Sequence, residues 1–307
     1  MSEIKIYTEI ETKEPTMIAG WPGMGNVALG AVNYIRRKLK TRLFAEIEAS
    51  QFFIPEAIII KDGMAKLPDL PRSAFYCSHD SGLIIFESDA QVSGHDGLHL
   101  INLIVNFARD LNVSKIFTGA AFPMPISHRE DSTIHGVANR KRLRDWLTQY
   151  RVKIMERGQI SGLNGLILGY AEKRDIDAAC LLATMPNYAI SFPNPKASKA
   201  IVSILGEMLN ISLDMTELDT FSREMDTRME AIEAKIQEMF PMAAKEKRVE
   251  NIDEKEVPKY IMEKIDKLFG EAKIDKGKAY DLKEELDRWE LFKFYEDRFL
   301  DLFKEDQ

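Results

Sequence analysis

A glycine-rich segment near the N-terminus holds the residues best suited to bind a ligand. Gly23-Met-Gly-Asn-Val-Ala28 satisfies the G-x-G-x-x-A pattern of dinucleotide-binding proteins, between a predicted strand and a predicted helix. Such a turn exposes backbone N–H groups at a helix N-terminus, where they can hold an anion. Trp21 and Pro22, however, add bulk and remove one N–H group where a pyrophosphate needs room and donors. The candidate ligand-binding residues are Gly20, Trp21, Pro22, Gly23, Gly25 and Asn26.

A tight turn between strand and helix is the alternative interpretation of this loop, because glycine is also selected for backbone conformation alone. The lysine and hydroxyl residue of a P-loop are absent, so this sequence does not predict ATP binding by that route.

Other patterns for catalysis or metal binding are incomplete. His95 and His99 are four residues apart, as two ligands on one helical face would be, but no third ligand is fixed. His128 and His135 lie in a predicted loop. No G-x-S-x-G motif is present. We therefore expect no catalytic residue, no metal site and no cofactor.

Residues 158–195 predict a turn, a helix and a buried strand in succession. Residues 161–164 provide the turn and the helix start. The apolar residues that follow at helical spacing are Leu163, Leu166, Ile167 and Tyr170. Residues 178–183 form a short apolar run bounded by Pro186, which is typical of a strand buried on both faces.

Strands and helices alternate through the first two hundred residues. Amphipathic helices are predicted at 26–40 and 99–111, and buried strands at 83–88 and 115–121. An irregular loop is expected at Pro123 and Pro125. The alternation predicts an α/β fold with a mostly parallel sheet, but periodicity alone does not separate it from a Rossmann-type sheet.

The character of the chain changes from Lys196, where one helix is predicted at 197–209 and a second begins at 213–218. This second helix has a heptad-like seam of Met225, Met229, Ile232, Ile236 and Met239. Residues 244–257 are highly charged, and a last helix at 279–303 carries many large apolar side chains. We predict an α/β domain at 1–218 and an α-helical extension at 219–307. Its apolar faces must pack on their own core or on a neighbouring subunit.

Composition limits the classes of partner. The net charge of -7 argues against nucleic acid or an anionic membrane surface as the partner. The basic run at 36–40 is explained by its position in the last turns of a helix, where the helix dipole favours cations. The basic run at 139–144 is interpreted as a solvated helix face, and a patch for an acidic partner is the alternative. The two cysteines, Cys77 and Cys180, both lie in apolar surroundings, so neither a disulfide scaffold nor a thiolate metal site is predicted. The expected location is therefore the reducing cytoplasm. We expect no membrane span and no signal peptide.

Two motifs in a fixed order give a more specific indication. The first is Gly20-Trp-Pro-Gly-Met-Gly-Asn26. The second comprises Gly158, Ser161, Gly162, Asn164, Gly165 and Pro186, followed by Pro193-x-Pro195. Together they resemble the PAC2 family, named after eukaryotic proteasome assembly chaperone 2, over roughly residues 1 to 218. The residues of the second motif are expected to be structural.

The resemblance implies a three-layer α/β sandwich of the phosphorylase/hydrolase-like type. It also implies a non-enzymatic homo-oligomer that binds protein partners such as proteasome α-type subunits. Some archaeal members end in a hydrophobic-Tyr-any tripeptide, whereas this sequence ends Glu305-Asp306-Gln307, so docking through such a tail is not expected. The alternative is an enzyme or a protein that binds a nucleotide, nucleoside or anion through the loop Gly20 to Asn26.

Overall fold

The computed structural model describes residues 3–53, 55, 57–78, 81–239, 259–289, 291, 295, 299 and 302. The chain divides into two compact units, Met1–Met239 and Phe240–Gln307. The helix Thr216–Met239 belongs to the first unit. The end of the α/β domain at residue 218 stays a prediction.

A nine-stranded mixed sheet forms the centre of the first unit. Its strands, in spatial order, are β1 (Ile4–Ile6), β3 (Arg42–Ile47), β6 (Ser73–Ser78), β7 (Leu83–Ser88), β2 (Thr16–Gly20), β8 (Lys115–Met124), β11 (Asp177–Pro186), β9 (Ile134–Ala138) and β10 (Val152–Ile154). The central strands β7, β2, β8 and β11 are parallel. The pairs between β1 and β7, and the pair β11 with β9, are antiparallel. The predicted α/β sheet is confirmed, with antiparallel flanks that periodicity did not indicate.

Helices cover both faces of the sheet. They are α1 (Val27–Lys38), α2 (Gly94–Asp110), α3 (Lys141–Leu147), α4 (Leu163–Glu172), α5 (Pro195–Leu209) and α6 (Thr216–Met239). One buried cluster joins the sheet to α1, α3, α5 and α6, and a second joins it to α2 and α4. Ile18 of β2 lies in the first cluster, and its neighbours Met17 and Ala19 lie in the second. This confirms the predicted three-layer sandwich.

The strand predicted at residues 178–183 is the most buried element of the sheet. Every residue of β11 is buried, and Leu181 and Leu182 lie in opposite clusters. A strand that is covered on both faces needs no polar side, which explains its unbroken apolar sequence.

Three local predictions were wrong. His135 was expected in a loop but lies in β9. β8 runs through Pro123 to Met124, where an irregular loop was expected. In α4, Leu166 is 44% exposed, although it was assigned to the buried face. Asn164 and Leu168 are buried instead, because the inward face of this short helix is centred on Ile167 rather than on Leu166.

A separate hairpin, β4 (Ile59–Lys61) with β5 (Met64–Lys66), is exposed at every residue. Its register pairs Ile60 with Ala65 and places them on one face. By the same alternation, Ile58 and Leu67 flank that face, and Ile60 and Leu67 are 71% and 72% exposed. An isolated two-stranded hairpin is at best marginally stable in water. An exposed apolar face on such a hairpin is therefore an unusual surface feature, because contiguous apolar patches on a protein surface mark sites of interaction.

The second unit has its own small core. Helices α7 (Lys259–Ile274) and α8 (Ala279–Arg288) pack together. Their cluster consists of Ile261, Ile265, Phe269, Ala272, Ala279, Leu282, Leu286 and Phe299. The sequence predicted that these apolar faces pack either on a core of their own or on a neighbouring subunit. The described residues form a core of their own.

Parts of the predicted C-terminal region lie outside the described residues. These are the charged segment 244–257, most of the last helix beyond residue 289, and the side chains of Ile232, Ile236 and Met239. Met225 and Met229 of the predicted seam pack against the core of the first unit. In the part of the chain that the structure describes, no helix has the length and hydropathy needed to cross a membrane.

Candidate functional site at the carboxyl ends of the central strands

The glycine loop that follows β2 is held by hydrogen bonds within the chain. Gly25 N–H donates to Ile190 O at 2.8 Å, and Gly25 O accepts from Asn194 N–H at 2.8 Å. Asn26 N–H donates to Gly23 O at 2.9 Å. The amides at Gly25 and Asn26 therefore bind the protein itself rather than facing a site for an anion.

Gly25 has a backbone conformation that requires glycine. Its φ is 61°, in the left-handed region that residues with a Cβ atom rarely adopt. A Cβ atom built there would lie 2.9 Å from Cε of Met185 on β11. Both facts favour the interpretation as a tight turn over a phosphate-binding loop.

The side chain of Trp21 does not occupy the space above the loop. The prediction that its bulk would hinder a pyrophosphate there was therefore wrong. Its side chain is 0% exposed and packs on Phe86, with ring centroids 5.0 Å apart. It continues the strand alternation on the side of Met17 and Ala19, which carries it into the core against α2 and α4.

Asn164 joins the two sequence motifs. Its Oδ1 accepts from Trp21 N–H at 3.1 Å and from the Thr118 hydroxyl at 3.2 Å, and its Nδ2 donates to Trp21 O at 3.2 Å. Asn164 is 5% exposed and Thr118 1%. The side-chain amide thus pairs with both backbone groups of Trp21, as a neighbouring strand would.

Gln91 makes a second connection between the motifs. Its Nε2 donates to Pro22 O, and its Oε1 accepts from Leu163 N–H at 3.3 Å. Gly162 is the N-cap residue of α4, with φ 78°, and a Cβ atom there would lie 2.6 Å from Gln91 Oε1. Glycine at 162 therefore serves both the turn and the approach of Gln91.

The remaining motif residues surround this junction. Gly165 lies in the first turn of α4 against Ile160, and Ser161 is exposed in the segment before this helix. Gly158 begins the segment that leads to α4, and Pro186 is the last residue of β11. These residues were recognised as one motif in the sequence, but the sequence predicted no contacts between them.

A cleft of about 550 Å³ opens beside the glycine loop. Its wall includes Met24, the end of β8 at residues 120–123 and Gly162 at the start of α4. It lies outside the carboxyl ends of parallel strands, where open α/β sheets bind ligands. Among the described residues on its wall, Arg157 is the charged one. An acid and base pair for catalysis is therefore not assembled by these residues.

Comparison with known proteins agrees with this arrangement. The model of the PAC2 family matches residues 17–233. The chain belongs to the PAC2 family. The uncharacterized protein MJ1210 of Methanocaldococcus jannaschii is 25% identical over 250 residues, which are 79% of this chain and 94% of that protein.

Two solved structures are also similar. PbaB of Pyrococcus furiosus, described as an archaeal proteasome activator, is 25% identical with a TM-score of 0.64, over 76% of this chain and 100% of PbaB. PbaA of the same organism, described as an archaeal homolog of proteasome-assembly chaperone, is 21% identical with a TM-score of 0.61, over 78% of this chain and 94% of PbaA. The likeness to PbaA shows the fold.

His95 and His99 lie four residues apart on α2 of this PAC2 protein, whereas His128 lies in a turn and His135 in β9. His99 Nε2 lies 2.6 Å from Glu3 Oε1, and the His128 main chain and ring contact the Tyr188 hydroxyl. Burial lowers the pKa of His135. Among the residues described, no three histidine, cysteine or acidic side chains are placed to hold a metal ion. His79 lies outside them.

Both basic runs form ion pairs within the PAC2 domain. Arg36 binds Glu87 at 2.6 Å, and Lys38 binds Glu217 at 3.2 Å, which links α1 to α6. The guanidinium of Arg142 binds both carboxylate oxygens of the buried Asp177, at 2.8 and 2.9 Å. Arg142 nevertheless keeps an exposed side chain, in agreement with a solvated helix face.

The functional residues that sequence reasoning missed are Gln91, Thr118 and Asn194. The first two have no local pattern, since their partners are distant in sequence. Asn194 had a signal: it precedes Pro195, and an N-cap followed by proline marks a helix start. Its Oδ1 accepts from Ala197 N–H at 2.9 Å, while its own N–H holds the glycine loop.

Proposed function

We propose that this PAC2 protein is a non-enzymatic homo-oligomer that binds protein partners, in the manner of a proteasome-assembly chaperone or activator. The observation that carries the proposal is that backbone groups of the glycine loop are hydrogen-bonded to other residues of the same chain. Trp21 pairs with Asn164, and Gly25 pairs with Ile190 and Asn194. The N–H groups of Trp21, Gly25 and Asn26 are bound to the chain and are therefore not offered to a nucleotide phosphate.

The proposed partners are α-type subunits of the host proteasome. This is supported by the likeness to PbaB, all of which is covered by this chain. The net charge of -7 supports a protein partner over nucleic acid or an anionic membrane. The low use of cysteine supports a cytoplasmic location.

The exposed hairpin supports self-association. Ile58, Ile60 and Leu67 place an apolar face in solvent on a two-stranded hairpin, and a second copy of the chain is the proposed cover. Light-scattering mass measurement of the full chain tests this. We expect a multimer for the wild type and a smaller species for Ile60→Glu, with Lys61→Glu as a matched control on the other face.

Binding to purified α-type subunits tests the function. We expect immobilised full-length protein to retain the host's α subunits, and NAD, ATP, nucleosides and phosphate to leave its melting temperature unchanged. Failure to retain α subunits or assembled proteasome would overturn the proposed partner class.

The second candidate, a protein that binds a small anionic ligand, is favoured by the 550 Å³ cleft with Arg157 on its wall. A nucleotide or phosphate that raises the melting temperature of the wild type but not of Arg157→Ala would support it over the chaperone-like function.

A further inference from the structure

β8 continues beyond the strand that accompanies it. It pairs with β11 over its whole length, from Lys115 to Met124. Its pairing with β2 stops at Thr118, because β2 ends and Trp21 N–H turns to Asn164. In the described part of the sheet, no strand lies beside residues 119–124 on the β2 side.

Backbone alternation decides which groups face this open side. Ala178 N–H donates to Asn139 Oδ1 at 2.8 Å and Thr184 N–H to Thr133 O at 3.0 Å, both away from β8. In a parallel ladder, one residue of each pair bonds the neighbouring strand and the other faces away. Ala178 pairs with Ile116, so the even-numbered residues of β8 bond β11. Its odd-numbered residues face the open side.

Pro123 is consistent with this assignment. Proline has no N–H group to donate and is confined to strand edges, so its nitrogen belongs on the side without a ladder. The open edge therefore presents the N–H and C=O groups of Ala121, with the C=O groups of Gly119 and Pro123. This also explains why β8 continues through a residue that predicted its end.

The open edge borders the cleft beside the glycine loop. Residues 120–123 form one wall, and Met155 and Ile160 contribute apolar surface to the rest. Arg157 is the charged residue on the wall among those described, and the positive end of α4 lies beside it at Gly162. Residues 119–124 span about 17 Å at about 3.3 Å per residue, which is enough for a short extended segment.

We propose that an extended peptide segment of a partner protein adds to β8 at this edge as a further strand. Its backbone pairs with Gly119 and Ala121, its apolar side chains enter the cleft, and a carboxylate of the segment binds Arg157. Strand addition of this kind takes affinity from main-chain hydrogen bonds and specificity from side-chain pockets. The inference rests on the proposed function in that the ligand is taken to be a protein segment.

Selection from a phage-displayed library of random peptides, about twelve residues long, on the full-length protein tests the proposal. We expect enrichment of alternating apolar residues with Asp or Glu, and slower amide exchange at Ala121 when a selected synthetic peptide is bound. Arg157→Glu should weaken that peptide about tenfold. Lys153→Glu makes the same charge change at an exposed residue away from the cleft wall and should leave the affinity unchanged.

The peptide itself supplies a control that does not depend on the folding of a variant. N-methylation at alternate residues removes its strand donors and should abolish binding. No enrichment, equal binding of the methylated peptide, or unchanged exchange at Ala121 when the peptide is bound would overturn the proposal.

The two proposals fail separately. If the wild type retains α subunits but selects no peptide, strand addition at β8 is overturned and the proposed function stands. If it selects peptides at this edge but retains no α subunits, the proteasome is overturned as the partner and the site stands.

Discussion

The side-chain amide of Asn164 is predicted to be the main link between the glycine loop and α4. Replacing it by alanine removes the partners of Trp21 N–H and Trp21 O, and Trp21 is 0% exposed. Each buried backbone group left without a partner costs about 1–3 kcal/mol, which gives about 2–6 kcal/mol for the pair. Asn164 also borders the cleft, so an entering water molecule can replace part of the amide. We expect a loss of about 2–4 kcal/mol.

Urea unfolding at neutral pH measures this loss. Asn102→Ala is the matched control, since it is a helical asparagine that is partly exposed and bonds to Leu98 O and Arg174. It should cost no more than about 1 kcal/mol. If Asn164→Ala costs no more than Asn102→Ala, the reasoning about the amide link is refuted.

Asn164→Asp separates the acceptor from the donor. Aspartate keeps the acceptor for Trp21 N–H but turns a carboxylate oxygen toward Trp21 O. Burial and the facing carbonyl raise the pKa of this new carboxyl in the folded state above its unfolded value, about 3.9. The variant therefore loses stability relative to the wild type as the pH rises from about 4 to 7. A deficit that does not change with pH would contradict the buried contact between this side chain and Trp21 O.

Three further predictions use other parts of the first unit. Gly25→Ala should destabilise the protein by about 1–3 kcal/mol, because the φ of Gly25 is 61°. Gly169→Ala in α4 should stabilise it by about 0.4–1 kcal/mol, because a Cβ atom there meets nothing within 4 Å. Thermal or urea unfolding measures both changes. Burial raises the pKa of the Cys180 thiol to about 12, so a thiol reagent should label it only after unfolding, as tryptic mass mapping will show. Hydrogen bonds from Thr216 lower the pKa of Asp214 from 3.8 to about 2, so its contribution to stability is present above about pH 3.8 and is lost as the pH falls through about 2. Asp214→Asn should lower the melting temperature at pH 7 and make little difference near pH 2, and an equal decrease at both values would contradict the assigned cause.

The amino-acid sequence alone determined the layers of this protein. The apolar run that became β11 and the helical spacing in α1 and α2 report local burial, because the side-chain period of an element is fixed by its own geometry. The glycine loop was located for the same reason, since a turn between a strand and a helix leaves a local signature. Its likeness to a dinucleotide fingerprint was local too, and did not reveal that the amides of Gly25 and Asn26 are occupied.

Only the tertiary structure decided what meets at the candidate site. Asn164 reaches Trp21 across 143 residues, and Gln91 reaches Leu163 across 72, so neither contact is expressed in any local period. The continuation of β8 through Pro123 depends on the neighbouring strand having ended, which is a property of sheet order rather than of the strand. Hydrophobic pattern records how deeply each residue is buried, and the partner of a buried polar group is set by which distant elements become neighbours.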